Sequence, residues 1–223
     1  MSAHRSPLSS SFLLAAACAL GALGGCRASG EKVPAGAGLV TVDRDPPSGA
    51  EVFEAPVWKV GDRFVYQKGG ISRLAFRLDS TVDGVHRLVD EQGGLVTLIG
   101  TDLSEHGQEQ PGAPEHTVTY DPADFGLTWP LWVGKRWSCQ FVRRAAGEED
   151  VPLLVTYECD GIDTVKVPAG TFRCLRIWRR ARPTKPGNYI DRISISWYAP
   201  EVGTIVRRLN ESMLVEAVEI DRQ

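Results

Sequence analysis

Residues 164–179 read T-V-K-V-P-A-G-T-F-R-C-L-R-I-W-R. A β-branched run closes at Val167, Pro168-Ala169-Gly170 follows, and a second run resumes at Thr171. Pro168 fixes φ near −65° and Gly170 tolerates positive φ, so the stretch predicts two antiparallel strands joined by a tight turn. The same pattern extends in both directions. From about Phe53 onward, β-branched and aromatic runs alternate with turn signals about every ten residues. The expected strands are 57–67, 72–82, 86–90, 95–101, 117–120, 136–143, 153–159, 164–167, 171–179, 190–199, 204–209 and 214–220. Asp83-Gly84, Gly93-Gly94 and Asn210-Glu211 mark turns between them. Ile193, Ile195 and Trp197 alternate with Arg192, Ser194 and Ser196, as in a strand with one apolar face. The polar stretch Ser104–Glu115 reads as a loop. Twelve strands without an amphipathic helix predict an all-β domain over residues 53–223: an antiparallel sandwich, barrel or curled half-barrel.

Composition narrows the classes. The chain has 223 residues, 25 Lys+Arg against 28 Asp+Glu, and a formal charge of −3. Without a basic excess it does not fit a nucleic-acid binder driven by counterion release. At 43% hydrophobic residues it has ample material for a core.

The first residues are an address. Phe12–Leu23 is an apolar run too short to span a bilayer, and it fits the h-region of a secretory signal. It ends in Leu23-Gly24-Gly25-Cys26, which resembles the lipobox of bacterial lipoproteins. The resemblance implies cleavage before Cys26 and transfer of a diacylglycerol to its sulfur, leaving a triacylated, palmitate-bearing first residue. Two or three such chains hold a protein stably at a membrane, whereas one does not. Arg27, rather than Asp, follows the cysteine, which by one known sorting rule implies the outer membrane, facing periplasm or cell surface. Residues 26–52, rich in Gly, Ala and Pro, read as a flexible tether. The expected organisation is a signal peptide over 1–25, a lipidated tether over 26–52 and a β domain over 53–223.

Two further motifs carry a resemblance. V-P-A-G-T-F at Val167–Phe172 and W-Y-A-P-E-V-G-T-I-V at Trp197–Val206 resemble the V-P-A-G-T-F and W-Y-x-P-x-V-G-x-V signature of uncharacterised bacterial envelope proteins. P-L-W-V-G-K-R-W at Pro130–Trp137 resembles an element that accompanies it. The resemblance implies a fold and a compartment, and no catalytic residue. Within the chain, Val60-Gly61-Asp62-Arg63-Phe64 is echoed by Val133-Gly134-Lys135-Arg136-Trp137, with Trp58 and Trp132 just before them. Two related β-meanders facing each other would produce this echo, and so would a common turn solution reused by chance.

Chemistry-bearing motifs are sparse. No H-x-H, H-E-x-x-H or C-x-x-C spacing supports a metal site, and no G-x-S-x-G or phosphate loop occurs, so no metal, cofactor or catalytic residue is expected. If 136–143 and 153–159 form a hairpin turning near 147–150, Cys139 and Cys159 become cross-strand neighbours, and a disulfide between them is expected. Cys174 then reads as a buried thiol. Arg173, Arg176, Arg179, Arg180, Arg182 and Lys185 form a dense cationic run suited to phosphate-bearing or polyanionic ligands. Trp129, Trp132 and Trp137 pack into a core or line a groove for an apolar or sugar ligand. The expected function is a lipid-anchored, non-enzymatic binding or interaction module of the bacterial envelope. Its partner would be the membrane through Cys26, together with an envelope protein, a lipid or a polyanionic glycan. A carrier of an apolar ligand inside a curled sheet is the alternative, and a glycan hydrolase is a weaker one.

Overall fold

The computed structural model describes residues 41–42, 45–184 and 192–223. The expected signal peptide, Cys26, most of the expected tether and Lys185 lie outside the described residues. Thirteen strands follow in chain order: β1 (Thr41–Val42), β2 (Arg63–Lys68), β3 (Ser72–Val82), β4 (Val85–Asp90), β5 (Val96–Gly100), β6 (Glu105–Glu109), β7 (Val118–Asp124), β8 (Arg136–Ala145), β9 (Val151–Val167), β10 (Gly170–Pro183), β11 (Arg192–Ala199), β12 (Thr204–Asn210) and β13 (Met213–Asp221). A single turn of 3₁₀ helix, Pro114–His116, precedes β7. From β2 to β13 each strand pairs antiparallel with the next, and β13 pairs back onto β2 through Val215–Asp221 and Arg63–Lys68. The result is a closed up-and-down barrel of twelve strands, so closure removes the free sheet edges.

Turn chemistry explains the hairpins. Asp83 and Gly84 both have positive φ, 50° and 77°, as a two-residue turn between β3 and β4 requires. Gly170 has φ 148° and starts β10 directly opposite Val167. A bulge at Asp160 interrupts the long β9–β10 ladder, since Ile177 pairs with Cys159 while Arg176 pairs with Gly161. The expected strands 153–159 and 164–167 are therefore one strand, β9, running through that bulge.

The largest buried cluster joins Trp137, Cys139 and Phe141 of β8, Leu153, Val155, Tyr157 and Cys159 of β9, Leu175 and Ile177 of β10, and Leu127 and Leu131 from the β7–β8 connection. Trp137 and Tyr157 stack with centroids 5.1 Å apart and planes 9° from parallel. A second cluster gathers Val165, Val167, Cys174, Ala199, Val206 and Ala217. A third holds Phe64, Leu78 and Leu88. Neighbours on one strand, Cys174 and Leu175, are both buried and belong to different clusters, as do Ala199 and Tyr198. Successive strand residues face opposite ways, so the wall is covered on both sides there. The water-exposed faces carry ion pairs, among them Arg63 with Glu91 and Glu219, Arg136 with Glu158, and Arg144 with Asp121 and Asp150. A membrane-spanning barrel shows an apolar outer band instead.

The internal echo is structural. Gly61 and Gly134 have φ 100° and 95° and open β2 and β8, which sit six strands apart on opposite sides of the ring. Gly61 donates its amide to Leu78 O and Leu78 donates back to Asp62 O, both at 2.8 Å. Gly134 donates to Cys159 O at 2.7 Å and Cys159 donates back to Lys135 O at 2.9 Å. At the matching position each half buries a charged side chain, Asp62 in one and Lys135 in the other. Asp62 accepts the Gln223 amide at 2.8 Å and pairs with Arg222, while the Lys135 ammonium donates to Thr128 O and Pro130 O at 2.7 Å. Opposite charges thus do the same job, tying a neighbouring segment to the barrel end.

Three expectations are corrected. The stretch 104–115 is not all loop, because Glu105–Glu109 is β6, a barrel strand without an apolar side chain. The end of the expected tether is docked: Thr41 and Val42 pair with Ser138 and Trp137, Glu51 holds Arg173, and Phe53 just after it exchanges backbone hydrogen bonds with Leu131 at 2.8 Å. Cys139 and Cys159 form no disulfide, and Cys139, Cys159 and Cys174 are all free and buried. The β8–β9 register pairs Cys139 with Val155, leaving Cys159 four residues, or about 13 Å, along the strand.

Candidate functional site

The register places two rows of outward side chains side by side across β8, β9, β10 and β11. The first row is Arg136, Glu158, Trp178 and Ile195, and the second is Ser138, Thr156, Arg180 and Ile193. Directly paired residues share a face, so these eight side chains form one patch. An open trough of about 600 Å³ lies against this part of the wall. Trp178 is 40% exposed and Ile193 48% exposed, well above what a core-facing position allows. The Trp178 indole is oriented, since its N–H donates to Asp160 Oδ2 at 2.8 Å. Asp160, the bulge residue, also takes a bidentate grip from Arg176 at 2.7 and 3.1 Å. Arg136 donates twice to Glu158 Oε1, at 3.0 and 2.7 Å. An oriented indole face flanked by guanidinium groups, hydroxyls and aliphatic carbon is a surface on which a sugar ring can stack and hydrogen-bond.

The cationic run is not one patch. Arg173 pairs with Glu51, and Arg176 with Asp160 and Asp163. Arg179 points the other way, where Asp124 Oδ2 accepts its Nη2 at 2.9 Å and Tyr157 Oη accepts its Nε at 3.2 Å. Tyr157 also donates to Asp124 Oδ1, and Cys139 Sγ approaches the same oxygen at 3.5 Å. Arg180 and Arg182 are exposed on the outer wall, Arg180 within the trough. Alternation on a strand explains the split, because residues an odd number apart point to opposite faces.

The tryptophans do not form a groove together. Trp132 and Trp137 are 3% and 2% exposed. Trp137 donates its N–H to Phe125 O at 2.8 Å, and its stretch of β8 borders the trough. Trp132 lies under the Lys135 ammonium at 4.6 Å, and Trp129 packs edge-on against Tyr198. Burial lowers the Lys135 pKa to about 8. Burial raises the thiols of Cys139, Cys159 and Cys174 to about 12. The aromatic that sequence reasoning missed is Trp178, whose exposure depends on strand parity relative to Ile177.

No family matches the chain, and no curated protein matches it. Among solved structures it is similar to the hypothetical lipoprotein YmcC from Escherichia coli, at TM-score 0.48 and 11% identity, over 77% of this chain and 90% of that one. An exported-protein candidate with a YmcC-like fold from Bacteroides fragilis gives TM-score 0.40 and 17% identity, over 77% and 100%. A lipoprotein candidate from Parabacteroides distasonis gives TM-score 0.40 and 11% identity, over the same shares. None of these likenesses assigns a function to the present chain.

Proposed function

We propose that the protein is a lipid-anchored component of the bacterial envelope that binds a polyanionic glycan in the β8–β11 trough without turning it over. The observation that carries this reading is the oriented, half-exposed Trp178 between Arg136 and Arg180. The lipobox at Leu23–Cys26 supplies the anchor and Arg27 the outer-membrane address. The two other readings fare worse. An apolar carrier needs an empty apolar concavity, whereas the inner wall brings the charges of Asp124 and Arg179 together. A glycan hydrolase needs two available carboxylates about 5–9.5 Å apart. Glu105 and Asp124 are opposed on β6 and β7, but both oxygens of Asp124 are already engaged by Tyr157, Cys139 and Arg179.

The test is co-sedimentation of the purified β domain with isolated cell-wall glycan, alongside Trp178→Ala and Arg180→Glu. The reading expects saturable binding that falls at least tenfold in each variant and weakens with salt. Equal binding by all three proteins, or none by the wild type, would contradict it.

A further inference from the structure

An apolar stripe runs from the trough across the outer wall. Trp178 pairs with Ile195, Ile195 with Leu209 and Leu209 with Leu214, so one register row crosses β10, β11, β12 and β13. None of the four belongs to any of the three buried clusters. Trp178 and Leu214 are 40% and 37% exposed, and Ile195 and Leu209 are half-buried. At the far end Gly69 donates its amide to Leu214 O at 2.8 Å, and the β2–β3 turn carries Ile71, 93% exposed. Three strand spacings make the stripe about 14 Å long. It is one side chain wide. The row on one side is Arg176, Trp197, Arg207 and Glu216. Its charges are matched, since Arg207 pairs with Glu216, and Arg176 and the Trp197 N–H both reach Asp163. The other side begins with Arg180 and Ile193 of the trough and ends at the Glu211-Ser212 turn.

A narrow apolar line bordered by charges offers too little area to a folded partner, since a stable protein interface takes about 800 Å² from each side. It fits a single extended hydrocarbon chain. Its near end is Trp178, the side chain on which the trough would seat a sugar, so a chain lying on the stripe is continuous with a sugar in the trough. We propose that the ligand of the trough is an acylated anionic glycan, with an acidic sugar against Trp178 and Arg180 and an acyl chain along Ile195, Leu209 and Leu214. The proposal rests on the glycan reading of the trough and adds the chain to it. Each methylene that leaves water strengthens binding about fourfold at full burial and less on an open wall. The stripe would therefore supply affinity that a solvated sugar patch lacks.

The probes are methyl glucuronide, octyl glucuronide and octyl sulfate, each titrated calorimetrically below its micelle-forming concentration. The protein is the polypeptide from Cys26 to Gln223, produced without its leader and so without acyl chains of its own. Octyl glucuronide is expected to bind saturably and at least about tenfold tighter than methyl glucuronide. Leu209→Ser, and Leu214→Ser at the exposed end, should each weaken octyl glucuronide binding at least about threefold. Both should leave co-sedimentation with cell-wall glycan unchanged, whereas Trp178→Ala should weaken both. Equal binding of the two glucuronides, or octyl glucuronide binding that both serine variants leave unchanged, overturns the proposal and leaves the glycan reading standing. No binding of octyl glucuronide overturns the proposal alone if cell-wall glycan still co-sediments, and both readings if it does not. Octyl sulfate binding as tightly as octyl glucuronide would assign the stripe to any lipid surface. A wild type that sediments as a dimer while Leu209→Ser is a monomer would assign it to a second copy. Either result overturns the proposal.

Discussion

Asp124 on β7 and Arg179 on β10 meet at 2.9 Å although two strands separate them in the ring. The contact pins the inner wall of the barrel and keeps Arg179 apart from the outward Arg176 and Arg180. Asp124 is 7% exposed, so its charge is held by its partners rather than by water. Asp124→Ala should leave the Arg179 guanidinium inside without a counter-charge and cost about 3–5 kcal/mol, read as a lower urea midpoint. Arg179→Met combined with Asp124→Leu should cost less than Asp124→Ala alone, because it removes both charges.

The three thiols are shut away from water, with pKa values near 12 against an ordinary 9. At pH 8 a thiol-specific reagent should label none of them in the folded barrel and all three in denaturant. Their folded pKa values lie above the unfolded ones, so the folded state holds protons that the unfolded state releases. Stability from these groups is intact below about pH 9 and is lost as pH climbs toward 12. A denaturation series across that window should show the midpoint falling. A Cys139–Cys159 bridge in the non-reduced peptide map would contradict the β8–β9 register.

Lys135 has the opposite sign. Its folded pKa, about 8, lies below the ordinary 10.5, so the unfolded chain binds the extra proton between those limits. Its contribution to stability therefore rises with pH from about 8 toward 10.5, opposing the thiols above pH 9. Lys135→Met should abolish that rising component between pH 8 and 9. It should also orphan Thr128 O and Pro130 O, at a cost of about 1–3 kcal/mol.

Gly107 sits mid-strand in β6 with φ 142°, and an added Cβ would lie 2.2 Å from Val118 O. The backbone of β7 cannot yield as a flexible side chain would. Gly107→Ala should split β6 from β7 and lower the thermal midpoint by several degrees, whereas Gly112→Ala, strained but unobstructed, should cost less.

The hairpins were legible because their turns are chemically marked. Asp83-Gly84 and Pro168–Gly170 fall where the chain reverses. Strand β6, Glu-His-Gly-Gln-Glu, was not legible, because a strand is recognised by apolar alternation and this one lines a polar part of the barrel. The register of β8 on β9 was missed by four residues. An even slip leaves every side chain on its original face, so alternation cannot detect it. The same holds for the trough: Trp178, Arg180 and Thr156 become neighbours through pairing between strands, which no local pattern encodes.

Placement of the barrel at a bacterial membrane by an acylated Cys26 is tested most directly by intact mass. The full chain, expressed with its leader in a Gram-negative host, would be extracted from membranes with detergent and weighed. The account predicts a polypeptide starting at Cys26 with the added mass of two or three acyl chains. A protein that still begins at Met1, or begins at Cys26 without acyl mass, would contradict it.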